Sequence, residues 1–230
     1  MFEKQEKVDF LDKVIIKRTN RKKTISISIR NETVTLLSPK LISKNYLYNI
    51  LLKKKNWIAK KLDDQKKRPK SLKNKFVKGE AFLKFGKKKT LIFRKSSLEE
   101  VIEKENSIEV HCLSETSIKK KLECWLKIEA ESYINSKLES YKNIMKVDYD
   151  NFKVKSFKRR LGSCSNNKKL SFNWKIVMMP KEVVNYIIIH ELSHLIHFNH
   201  SKSFWKLVAR FCPDYKKQKE WIKKNENLIL

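Results

Sequence analysis

Glycine and proline are scarce: this chain of 230 residues holds three glycines and four prolines. It has no internal repeat, and no low-complexity tract beyond an excess of lysine. The four cysteines, Cys112, Cys124, Cys164 and Cys212, lie far apart and form no Cys-x-x-Cys pair. That excludes a disulfide framework and a cysteine zinc ribbon, and it reads as reduced thiols in a cytoplasmic protein. No apolar run approaches the ~18 residues of a membrane span. The longest candidate, Val183 to Ile189, is interrupted by Asn185. The opening residues, Met1 to Lys7, lack an apolar run of signal-peptide length. Acidic residues are outnumbered, 25 against 54 lysines and arginines, which leaves a net charge of +29. Such an excess fits a polyanionic partner, DNA or RNA, met through a basic surface. It also fits the bias toward Lys, Asn, Ile and Phe expected of an AT-rich genome.

Histidine, by contrast, is concentrated. Four of the five histidines fall within His190 to His200, which reads HExxHxxxxxH. On a helix, positions i and i+4 share a face, so His190 and His194 can point two imidazoles at one ion. Glu191 stays on the same side, placed to take a proton from a water that the metal activates. His200 is too far along to be a third ligand on the same straight helix. The chain must leave the helix and turn back, and Asn199 is the residue best suited to a left-handed turn there. Three histidines with one open position form a catalytic zinc site, whereas a structural site is closed by four protein ligands. Three neutral imidazoles suit Zn2+ better than magnesium or calcium. The competing reading is an amphipathic core helix with incidental histidines. It would bury three imidazoles without a ligand, at a cost.

The chain before this segment reads as β-rich at first. Val14 to Ile16 is a short apolar run, Thr24 to Ile29 alternates, and Thr33 to Leu37 follows as its neighbour. A helix is expected over Ser43 to Lys67, with Trp57 in its apolar stripe, running into a flexible basic loop around Lys67 to Lys70. Lys53 to Lys78 is the densest basic run; Trp57 and Phe76 within it suit either base stacking or an ordinary solvated face. Phe82 to Phe85 and Thr90 to Phe93 suggest a hairpin, and Val101-Ile102 with Ser107 to Cys112 a further strand pair. His111 there reads as structural. A long helix, Thr116 to Met145, carries an apolar stripe that wants a partner, most naturally the helix of His190. Phe152 to Phe157 reads as a strand beside the cleft, and Leu170 to Val177 as the last strand before Pro180. Ser201 suits the cap of a short helix through Phe211, and a final helix passes Trp221. The division expected is residues 1–95, β-rich with one basic helix, and 96–230, the metal-bearing core.

Taken in order, Arg160 to Ser165, Phe172-Asn173-Trp174, Pro180, His190 to Leu195, Asn199-His200-Ser201, Phe204-Trp205, Pro213 to Lys216 and Trp221 resemble the YgjP-like metallopeptidase family, relatives of the SprT-like and WLM proteases. The resemblance spans about residues 14 to 225. It implies an α+β fold with a zincin-like core: a small β-sheet, a long helix packed on the HExxH helix, and short C-terminal helices. It implies that His190, His194 and His200 carry zinc and that Glu191 is the catalytic residue. Two positions depart from the family pattern: Leu161 stands where Trp is usual, and His197 lies where metzincins of the same spacing keep Gly.

The function expected is that of a cytoplasmic zinc metallopeptidase, acting on protein or peptide and, by analogy with the SprT-like and WLM relatives, on proteins associated with nucleic acid. The tetrahedral oxyanion needs a further donor, for which His197, Arg160 and Tyr215 are the candidates. Two rivals stand beside it. One is a basic nucleic-acid-binding protein with a non-catalytic zinc site. The other is a zinc amidase acting on a small amide.

Overall fold

A computed structural model of the protein describes residues 14–30, 32–66 and 75–229. The chain forms two compact units, Met1–Pro69 and Lys70–Leu230. In the first, strands β1 (Val14–Thr19), β2 (Ser26–Arg30) and β3 (Thr33–Pro39) form a sheet in the order β1-β3-β2. β2 and β3 pair antiparallel, while β1 runs parallel to β3. Alternation along β3 sends Val34 and Leu36 to the core, where Leu47, Leu51 and Ile58 from the helices meet them. Ser43 caps the first helix, its hydroxyl accepting from the Tyr46 N–H at 3.3 Å.

The single helix expected here is two helices, α1 (Lys44–Lys53) and α2 (Lys55–Lys66), broken at Lys54. Leu47, Leu51 and Ile58 are buried at the spacing of one helical face, and Trp57 falls to the side of it. Ile58 is buried, and Trp57 is 44% exposed instead of joining the apolar stripe. The basic loop expected at residues 67–70 lies outside the described residues.

In the second unit, β4 (Ala81–Lys84), β5 (Lys87–Lys95), β6 (Glu100–Glu103) and β7 (Ser107–Cys112) form a sheet in the order β4-β5-β7-β6. Phe85 and Gly86 join β4 to β5 with φ of 47° and 76°, the type I′ pattern that matches strand twist. This turn also meets the segment that leads into the helix of His190. The Phe85 N–H donates to the Val177 carbonyl at 2.6 Å, and a Cβ at Gly86 would meet Pro180 at 3.0 Å.

The long helix α3 (Ile118–Met145) buries Ile118, Leu122, Leu126, Ala130, Ile134 and Leu138, one residue per turn. It packs on α4 (Lys181–Ser193), and the Tyr133 hydroxyl donates to Asn185 Oδ1 at 3.0 Å. Strands β8 (Asn151–Lys155), β9 (Gly162–Cys164) and β10 (Lys169–Asn173) form a second sheet in the order β8-β10-β9. The last strand stops at Asn173, short of the Val177 expected, because the Asn173 side chain accepts from the Lys175 N–H and starts a 3-10 turn, Trp174–Met178. It is β9, not β8, that runs against α4; β8 lies on the opposite side of β10. Helices α5 (Lys202–Phe211) and α6 (Tyr215–Ile229) complete the expected α+β core.

Candidate metal centre

α4 ends at Ser193, and His194 keeps helical dihedrals as its C-cap. The exit is tight: the N–H groups of Ile196 and His197 both donate to the Ser193 carbonyl. The chain then returns through Phe198 and Asn199 to His200, and Asn199 does not take the left-handed conformation expected of it. Ser201 caps α5 at once, its hydroxyl accepting from the Phe204 N–H at 3.3 Å. The reversal is thus held between two helix ends, one carrying His194 and the other following His200.

This brings three imidazoles together. One ligand atom each from His190, His194 and His200 can be chosen so that all lie within 4.8 Å of one another. His190 Nε2 and His200 Nε2 are 3.0 Å apart. In a tetrahedron with Zn–N bonds of about 2.0–2.1 Å, neighbouring nitrogens stand about 3.3 Å apart. His194 Nδ1 faces the His197 carbonyl at 3.1 Å. A carbonyl only accepts, so Nδ1 carries the proton and Nε2 keeps its lone pair for an ion. Burial, with the neighbouring imidazoles adding to it, pushes the His190 pKa down to about 3, and His194 moves in the same direction for the same first reason. The charged form is suppressed in both, as a metal ligand requires. The donor set therefore fits a transition dication.

The ring of His197 is not part of the cluster; its contribution is the main-chain oxygen that orients His194. Phe204, fully buried, packs against all three histidines, its ring centroid 5.0, 4.6 and 4.8 Å from those of His190, His194 and His200. Trp205 stacks on His200, and Tyr215 stacks on Trp205. Tyr215 is thus separated from the histidines by an indole. His111 lies on β7 beside Glu109, apart from the cluster.

A cleft of ≈ 280 Å³ opens beside His190. One wall is the run Arg159 to Gly162; the other is α4, through Tyr186, His190 and Glu191. Glu191 is 7% exposed. Burial pushes its pKa up to about 8, while the charge of Arg160 draws it down. Gly162 makes room for it: a Cβ there would stand 2.7 Å from Glu191 Oε1. Asn173, fully buried, ties this wall in place. Its Nδ2 donates to the carbonyls of Phe157 and Arg160 at 3.1 and 3.0 Å, and its N–H donates to that of Leu161 at 2.8 Å. Trp174 Nε1 donates to Ser156 Oγ at 3.1 Å. Gly162, Asn173, Tyr186 and Phe204 have roles here that sequence reasoning did not assign. The segments Gly-Ser-Cys and Phe-Asn-Trp were the only signal for the first two.

Comparison with known proteins follows the same line. A family model described as YgjP-like, metallopeptidase domain, matches residues 23–225. Two crystal structures of metallopeptidase zymogens are similar over part of the chain. Abylysin of Pyrococcus abyssi is 23% identical, with a TM-score of 0.37, over 42% of this chain and 99% of that one. Jannalysin of Methanocaldococcus jannaschii is 22% identical, with a TM-score of 0.34, over 38% of this chain and 94% of that one. No match is found among curated proteins.

Proposed function

The chain belongs to the YgjP-like metallopeptidase family, and from that premise we propose that it hydrolyses peptide bonds with zinc held by His190, His194 and His200 and with Glu191 as general base. The observation that carries this reading is the convergence of three imidazoles beside one buried carboxylate at the lip of a cleft. A zinc ion bound there supplies Lewis-acid polarisation of the scissile carbonyl and of a water.

The chain's own residues do the rest. The buried Glu191 is a strong proton acceptor, because its desolvated carboxylate gains by becoming neutral. It takes the proton of the attacking water and returns it to the leaving amine, a role worth ~10²–10⁴ in rate. Of the three oxyanion candidates, Arg160 is the one that lines the cleft, and we assign the developing negative charge to it. His197 supports His194 through its carbonyl, and Tyr215 supports His200 through Trp205. A substrate backbone fits the free edge of β9, next to Glu191, by β-augmentation. The four unpaired cysteines support a cytoplasmic setting.

The test is Glu191→Gln. Hydrolysis of a casein-type substrate should fall by at least ~10²-fold while bound zinc stays near one ion per chain. Loss of the zinc together with the activity would refute the division of labour between Glu191 and the histidines.

A second reading rests on Trp57. An exposed indole on α2, flanked by Lys53, Lys54, Lys55, Lys60 and Lys61, suits a stacking contact with single-stranded DNA or RNA, and the net charge of +29 supports it. On that reading the peptidase acts on proteins associated with nucleic acid.

A further inference from the structure

Arg159 and Arg160 stand side by side on the cleft wall opposite α4. Both side chains are exposed. Neither forms a side-chain hydrogen bond or a salt bridge with a described residue; Arg160 acts on Glu191 through its charge. Some cations elsewhere in this unit are matched by carboxylates. Lys84 pairs with Glu103 and Glu129, Lys104 and Arg94 with Glu109, and Lys142 with Asp148. The backbone under the two arginines is held: Asn173 takes the carbonyls of Phe157, Arg160 and Leu161, and Trp174 takes the Ser156 hydroxyl. Two guanidinium groups are therefore presented from a pinned segment at the mouth of a reaction cleft.

Guanidinium is the side chain best shaped for a carboxylate, through paired N–H groups in a planar fork. We propose that Arg159, with Arg160 beside it, forms an anion subsite that takes a carboxylate of the substrate chain. This rests on the peptidase reading above and adds a substrate class to it. Peptides with an acidic residue near the cleaved bond, or whose own terminal carboxylate lies there, are preferred; lysine- and arginine-rich ones are disfavoured. Arg160 serves the oxyanion as well, so Arg159 is the residue that isolates the subsite.

The test uses the zinc-loaded full chain and a set of fluorogenic peptides that differ at one position, Ala, Asp or Lys, scanned along the peptide. A parallel pair ends in a free carboxylate or in an amide, which separates the two sources of the anion. One acidic position, or the free terminus, should raise kcat/KM roughly tenfold over its neutral counterpart, mainly through KM. Arg159→Met should collapse the acidic-to-neutral ratio toward one, and Arg159→Glu should invert it in favour of lysine. Both variants alter an exposed side chain, so their melting temperatures should match that of the parent. Fluorescence anisotropy on the Glu191→Gln protein gives a second readout: acidic peptides should bind more tightly, and Arg159→Met should remove the difference. Equal cleavage of acidic, neutral and basic peptides overturns the subsite, as does a preference that survives Arg159→Met. If no peptide is cut but the Arg159-dependent binding persists, the subsite stands and the peptidase reading falls.

Discussion

Gly162 lies so close to Glu191 that a Cβ on it would stand 2.8 Å from the Cγ and 2.7 Å from the Oε1 of that carboxylate. Its φ is not in the left-handed range, so the glycine serves clearance and not backbone freedom. Gly162→Ala should therefore push the carboxylate out of position while leaving the histidines untouched. We expect kcat/KM to fall by about a hundredfold, the usual cost of a displacement near 1 Å, and stability to fall by about 1–3 kcal/mol from overpacking. Peptide hydrolysis, metal analysis and a thermal melt measure the three quantities. Normal activity in a normally folded Gly162→Ala protein would mean that the wall is looser than this contact implies.

The hydrogen bond from His194 Nδ1 goes to the main chain of residue 197, not to its side chain. His197→Ala should then keep that bond and hold metal near one ion per chain. His190→Ala, His194→Ala and His200→Ala each remove a ligand. Their affinity should fall by more than the roughly 10–100-fold typical of losing a group that merely supports a ligand. Competition against a chromophoric zinc chelator separates the four variants. Loss of metal from His197→Ala would show that its ring, not its carbonyl, matters.

Trp57 offers a stacking face but no charge. If single-stranded DNA lies on α2, Trp57→Ala should weaken binding by the ~1–3 kcal/mol of one stacked base. The slope of log affinity against log salt should stay the same, since that slope counts phosphate contacts by lysine and arginine. No binding at low salt, or a flat salt series, would remove the nucleic-acid reading and leave the charge to composition.

The convergence of three histidines near Glu191 was legible because a short segment carries them all and helical periodicity fixes the faces of the first two. The α3 stripe was legible for the same reason, with a partner implied by its length. What escaped depends on contacts between segments distant in sequence. Nothing near Gly162 says that a carboxylate from α4 will lie on it, and nothing near Phe204 says that three imidazoles will rest on its ring. Asn173 reads as a strand residue until its side chain is seen to hold two carbonyls of the cleft wall. Trp57 was misread because its apolar ring was counted into the stripe, whereas its neighbour Ile58, about 100° round the helix, takes the buried position. At residue 199 a tight helix exit did what a left-handed residue was expected to do.

Lys84 is 4% exposed, yet it is charged on both sides: it pairs with Glu103 and, at 2.6 Å, with Glu129, and its ammonium stands 4.3 Å from the Trp125 ring centroid. Lys89 reaches the same Glu103 at 3.0 Å. Burial alone would raise the Glu103 pKa, but the hydrogen bonds and charges of Lys84 and Lys89 outweigh it, and the carboxyl sits below its ordinary 4.5. A folded-state value below the unfolded one contributes stability above pH 4.5 that disappears as pH falls through the folded value. Lys84→Met keeps the packing of the stem against Trp125 but strips Glu129 of this partner and leaves Glu103 with Lys89. Because both carboxylates remain about one-third exposed, solvent screening holds the expected loss near neutral pH to about 1–2 kcal/mol. As pH falls through the lowered value of Glu103 that carboxylate becomes neutral, and the difference between variant and parent should shrink. Urea unfolding midpoints at pH 7, 5 and 3.5, taken with a chelator present in both proteins, measure that gap. A gap that stays constant across this range would assign the effect of Lys84 to packing instead of charge.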